Sequence, residues 1–87
     1  MTEPGPIAGA RQILRDARHA TLATLTPEGA PFASLVAMAT DSRGRPILLL
    51  SDLGRHSQNL AGDTRVSLLL DGTAGMDDRL MGPRLTL

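Results

Sequence analysis

The chain has 87 residues, no cysteine and a single aromatic residue, Phe32. That length fits one domain, and without thiols neither disulfides nor cysteine-held metals can staple it. Nine basic residues, all arginine, balance nine acidic ones, which excludes the basic excess of a general nucleic-acid or membrane-surface binder.

A core built from small aliphatic side chains is thin at this size, so an oligomer or a longer parent domain is expected rather than a self-sufficient monomer. The start, MTEPGPIAGA, lacks the basic residues and apolar run of a secretory signal. No apolar run approaches the roughly 20 residues that would cross a bilayer. These features make a cytoplasmic location the expectation.

In chain order, residues 1–5 read as a flexible start and residues 6–87 as folded. Pro6 suits a first helical turn, where its missing N–H is not needed. Ile7, Ala10, Leu14 and Ala17 then recur at helical spacing with Ile13 beside them, and Arg11, Gln12, Arg15, Asp16 and Arg18 take the other side. This predicts an amphipathic helix that covers an apolar surface. Ala20–Thr26 alternates like a strand, and Pro27-Glu28-Gly29-Ala30 has turn chemistry. Phe32–Thr40 is the next strand. It sets Phe32, Ser34, Val36 and Met38 on one face against Ala33, Leu35, Ala37 and Ala39 on the other. The second of these faces is nearly all small, which suits close approach of a backbone or a flat ligand. Asp41 to Pro46 is a further turn, so the first half predicts an antiparallel meander.

Ile47–Leu50 and Val66–Leu70 are short apolar runs that read as buried strands around a polar insert. The insert reads as a short helix with Asp52 as its cap. Leu53, Leu60 and Ala61 form its inner face, and Gly62 ends it in a left-handed turn. Gly54, Arg55, His56 and Ser57 fall in its first turn, where free amide N–H groups and the Arg55 guanidinium favour an anion. Residues 71–82 read as a glycine-rich loop, and Arg84–Leu87 as a further strand.

Other chemistry is weakly encoded. His19 and His56 have no carboxylates at metal-ligand spacing, and no metal site is expected. Ser34, Ser51 and Ser57 lie in no nucleophile elbow and have no evident acid–base partner. Asp77 and Asp78 read as solvated loop carboxylates. No catalytic side chain is assigned.

Three stretches carry a resemblance to a known family: PFASLVAMATD, GRPILLLSDLGRHSQNLAGDTRVSLLLDG and GPRLTL. The string Ser51-Asp52-Leu53-Gly54-Arg55-His56-Ser57-Gln58-Asn59-Leu60 is the most specific of them, and Asp63 to Leu69 strengthens it. From about Ala10 to the last residue the chain resembles the FMN-binding split-barrel proteins. That group includes pyridoxamine 5′-phosphate oxidase and, more closely similar, the HugZ-type haem-utilisation proteins. The resemblance implies a mainly β fold with flanking helices, an antiparallel split β-barrel incomplete at its C-terminus. It also implies a homodimer with FMN held between subunits, the backbone of Ser34, Leu35, Val36 and Ala37 lying along the flavin. Ser51, Arg55, His56 and Ser57 match the positions that hold the phosphate.

Two departures bear on chemistry. Where pyridoxamine phosphate oxidases carry an arginine on the second strand this chain has Ser34, and where they carry a lysine beside the phosphate it has His56. Both changes remove fixed positive charge, so the resemblance implies weaker phosphate binding unless His56 is protonated, and a substrate other than pyridoxamine phosphate. The expected function is an FMN-dependent oxidoreductase-type domain acting on an unspecified small molecule. A haem-binding or haem-degrading protein is the alternative within the family, and a non-catalytic dimerisation or flavin-storage module the alternative outside enzymology.

Overall fold

A computed structural model of the chain describes residues 5–87. Apart from Gly5, the stretch read as a flexible start lies outside the described residues. Helix α1 (Pro6–Asp16) begins with Gly5 as an extended cap, and Pro6 fills the first position. Its Ile13 and Leu14, with Ala17 just past its end, pack against the core, while Ile7, expected on the same face, is 71% exposed.

Strands β1 (His19–Leu25), β2 (Pro31–Thr40) and β3 (Pro46–Leu49) form the predicted meander. The β1–β2 turn needs Gly29, which sits at φ +82° and donates its N–H to the Thr26 carbonyl. No side chain reaches that left-handed region without cost, so glycine fixes the hairpin there. At the β2–β3 turn the Asp41 carboxylate accepts the N–H groups of Arg43 and Arg45, both at 2.9 Å, and pairs with the Arg45 guanidinium. The second turn also places a glycine in the left-handed region, Gly44 at φ +78°, so the Asp41 carboxylate adds to the same backbone freedom that the first turn uses.

Helix α2 (Arg55–Gly62) carries the chain from the β3 edge over β2 and β1, and β4 (Ser67–Asp71) then pairs with the far side of β1. A one-turn 3₁₀ helix at Arg79–Met81 interrupts the stretch read as plain loop, and β5 (Arg84–Thr86) pairs with β4. The result is a five-stranded antiparallel sheet in the order β3-β2-β1-β4-β5. It does not close on itself, because β3 and β5 are its two edges.

The register aligns Leu22 with both Ser34 and Leu68, and Met38 with Leu48. The inner face therefore carries Ala20, Leu22, Val36, Met38, Leu68 and Leu70, all buried, with both helices lying on it. This is the side-chain alternation read from the sequence of β2, with Phe32, Ser34, Val36 and Met38 turned inward. The outer face is open. Leu35 and Leu49 are 76% and 79% exposed on it, alongside Ile47 and Leu69.

Candidate functional site

The turn between β3 and α2 is held by Ser51. Its carbonyl accepts the Gly54 N–H at 3.0 Å and the Ser57 hydroxyl at 2.6 Å, and its own hydroxyl accepts the Leu53 N–H at 3.3 Å. Gly54, and not the expected Asp52, is the helix cap: the Gly54 carbonyl takes the first helical bond, from Gln58 N–H at 3.2 Å. Asp52 points to solvent because Ser51 already organises the turn from one residue earlier. Gly54 has an ordinary φ of −71°. Its value lies in space, since a Cβ there would stand 2.9 Å from His56 Nε2.

Among the described residues no side chain caps α2. The amide N–H groups of Arg55, His56 and Ser57 have no acceptor among the described residues. Unmet donors at a helix start attract an anion, reinforced by the helix dipole. Arg55 is exposed and has no ion-pair or hydrogen-bond partner among the described residues. The structure thus brings Arg55, His56 and Ser57 into one turn, as their spacing indicated, together with Ser51, which only the family resemblance had named. Their hydroxyls are not equivalent: Ser57 spends its hydrogen on the Ser51 carbonyl, whereas the Ser51 hydroxyl hydrogen remains free for a ligand.

Beside the turn lies an unpaired stretch of β2. Strand β3 pairs with β2 only as far as Ala37↔Leu49, so residues 31–36 have a strand neighbour on the β1 side alone. Met38 N–H points to that β1 side, donating to the Arg18 carbonyl at 2.8 Å. Backbone groups along a strand alternate sides, so those of Leu35 and Ala33 face the open edge. Extending the register by two residues would place Ser51 opposite Leu35, and it is there that the chain turns off into α2. A row of free peptide groups therefore adjoins the anion-ready turn. Ser34 and Val36 project inward, Val36 into the core, whereas Leu35 and Ala37 face out.

The inner face of α2 differs from the sequence reading. Leu53 is 88% exposed and Ala61 is exposed, so of the predicted trio only Leu60 packs against the core. Gly62 is the last helical residue and has no positive φ; the following residue, Asp63, is extended and its carboxylate pairs with Arg65. The position that anchors the helix is Asn59, which is 2% exposed and donates from Nδ2 to Thr24 Oγ1 at 3.0 Å. Thr24, also 2% exposed, passes its hydrogen toward the Phe32 carbonyl. Sequence reading missed both. The available signal was an asparagine three residues after His56, and so on one helical face with it. Surface grooves against α1, along β4 and β5 and at the β1–β2 turn are lined by other residues than Ser51, Arg55, His56 and Ser57.

An open antiparallel sheet crossed by two helices, with an anion-ready turn beside a free strand edge, defines a partial split-barrel domain. The family model for pyridoxamine 5′-phosphate oxidase matches residues 8–86, and the chain belongs to that family. No match was found among curated proteins. Among solved structures, the chain is similar to a haem-binding protein from Mycobacterium smegmatis, at 38% identity and a TM-score of 0.87, covering 100% of this chain and 36% of the other. A protein of unknown function from Agrobacterium tumefaciens matches at 33% identity and a TM-score of 0.85, covering 100% and 38%. HutZ, the haem storage protein of Vibrio cholerae, shares the fold at 23% identity and a TM-score of 0.71, covering 87% and 54%. The chain thus spans between about a third and about half of these proteins' lengths.

Proposed function

We propose that this domain binds FMN and serves flavin-dependent redox chemistry, with the phosphate at the α2 turn and the ring system along the free edge of β2. The observation that carries the reading is the adjacency of two unmet hydrogen-bonding surfaces. The helix start offers amide N–H groups, the Ser51 hydroxyl and Arg55 to a dianion, and the Leu35 and Ala33 peptide groups offer donors and acceptors to a heteroaromatic edge. Asp52 stands close to the turn, so the full charges there nearly cancel and the oriented amides carry most of the attraction. FMN supplies the electron transfer when bound; the protein binds and orients it. The exposed Leu35 and Leu49 give apolar ground beside that edge, which fits the homodimer with flavin between subunits that the family resemblance implies. No helix among the described residues is long and apolar enough to cross a membrane.

The test is to mix the purified chain with FMN and follow flavin fluorescence and absorbance, with light scattering for mass. Saturable uptake with a dimer mass is expected. A chain that neither takes up FMN nor changes its mass overturns the reading.

A second reading, haem binding, is favoured by the Mycobacterium smegmatis relative. It predicts a Soret band on haem titration and competition between haem and FMN. Haem uptake without flavin uptake would put this reading in first place.

A further inference from the structure

Across the chain nine arginines balance nine acids, but the balance is not local. A groove of about 680 Å³ between α1 and the β2–β3 turn is lined by Arg11 and Arg15 from the helix and Arg43 from the turn, with Ile7, Ala8 and Leu14 as its apolar surface. No acidic residue among the described ones lines it. The acids that neighbour these arginines in sequence are engaged elsewhere. Asp16 accepts from Gln12 Nε2 at 2.9 Å and lines the groove on the other flank of α1. Asp41 takes the N–H groups of Arg43 and Arg45 and the Arg45 guanidinium. Among the described residues the side chains of Arg11 and Arg43 have no hydrogen-bond or ion-pair partner, and Arg15 has only Gln12 Oε1 at 3.3 Å. Like charges four apart on one helix face oppose folding, and Arg43 brings a third from another element. Ile7 belongs to the same arrangement: it is 71% exposed because it stands on this groove instead of on the core.

We propose that this groove binds a nucleoside diphosphate, with the diphosphate on Arg11, Arg15 and Arg43 and the nucleoside against Ile7 and Leu14. Charge complementarity selects the class. A guanidinium fork meets phosphate oxygens two at a time. A diphosphate gathers about three negative charges in one compact group, which answers all the arginines of the groove, whereas a carboxylate brings a single charge to one of them. The exposed Ile7 and the half-buried Leu14 give a planar ring an apolar wall beside the charges. The volume falls within the roughly 300–1,000 Å³ of small-molecule sites. An extended polyanion finds no basic track beyond the groove, because Arg45 and Arg65 are paired with Asp41 and Asp63. The arginines are exposed, so binding is sensitive to salt. The groove adjoins the turn that precedes β3, whereas the α2 turn follows it, so this site is separate from the flavin phosphate site and does not depend on that reading.

The experiment is titration of the unliganded chain with ADP, followed by ¹H–¹⁵N spectra and calorimetry, with AMP and inorganic pyrophosphate run alongside. ADP should saturate and shift the amides of Arg11, Arg15 and Gly44 while those of Arg55 and Ser57 stay in place. AMP and pyrophosphate should each bind more weakly than ADP. Arg11→Gln and Arg43→Gln should each weaken ADP by roughly three- to tenfold, less so in added salt, without lowering Tm. Ile7→Ser should weaken ADP and leave pyrophosphate unchanged. Arg79→Gln, in a different groove, should leave ADP binding as it was. Absence of saturable ADP binding, shifts confined to the α2 turn, or arginine variants that bind ADP like the wild type overturn the inference. Tighter binding of a hexaglutamate peptide than of ADP overturns the nucleotide assignment.

Discussion

Replacing Asn59 with alanine tests how the site is held in place. Its Nδ2 bond to Thr24 Oγ1, 3.0 Å long and fully buried, is the side-chain hydrogen bond that ties α2 to β1 among the described residues. Alanine removes that bond, worth about 1 kcal/mol net, and leaves a gap of a few atoms that adds a similar amount. A loss of about 2 kcal/mol corresponds to a Tm drop of roughly 8–16 °C at this chain length. Thr24→Val probes the other partner: it is close in shape and leaves Asn59 Nδ2 buried with nothing to meet. Thermal and urea unfolding of the two single variants and the double variant give the coupling, expected at about 1 kcal/mol. Additivity within about 0.3 kcal/mol would show that the bond does not act as described. Site geometry is read in the same samples from the Arg55 and His56 amide shifts, which should move in both single variants.

Arg55→Ala should leave stability within about 0.5 kcal/mol, since Arg55 is exposed and has no ion-pair partner among the described residues. It should weaken FMN by about tenfold or more, with less effect at high salt, as measured by fluorescence titration. Gly54→Ala meets no backbone penalty at φ −71°, but its Cβ falls 2.9 Å from His56 Nε2. The ring, being the free end of a side chain, should give way: the His56 resonances shift while Tm falls by less than about 8 °C. Asp63 is held down to about 2 from 3.8, first by its hydrogen bonds from the Arg65 side chain and then by the Arg65 N–H. Because that folded-state value is depressed, its contribution is complete above about pH 4 and is lost as pH falls toward 2. Asp63→Asn should therefore lower stability slightly at pH 7, the pair being exposed, and flatten the acid limb so that variant and wild type converge as pH falls toward 2, as acid titrations followed by circular dichroism would show.

Much of the architecture was legible because it depends on local rules. Period-two alternation in β1 and β2, turn residues at Gly29 and Gly44, and an anion-prone stretch around Arg55 and His56 each follow from side-chain chemistry over a few neighbouring residues. Which residues of β2 share a face was readable for the same reason, whereas the choice of Val36 and Met38 as the inward face was made by the elements that pack on it. Errors fell where a distant partner decided the outcome. Leu53 looked like a helix anchor by hydrophobicity, yet the helix starts later than a cap at Asp52 would place it, and the leucine is left in solvent. Asn59 was given no structural role by its neighbours in sequence, yet Thr24, 35 positions earlier, makes its burial tolerable. A buried amide is affordable only when its partner is present, and no local pattern names that partner.

The sequence by itself determined the strands, their turns and the residues that gather at the anion-ready turn, because neighbours along the chain enforce them. Tertiary structure alone decided that β4 joins the far side of β1, that α2 lies across the inner face, and that β2 is left with an open edge beside Ser51. Those outcomes depend on contacts between residues far apart in the chain, where the pairing of strands and the burial of one face are settled together.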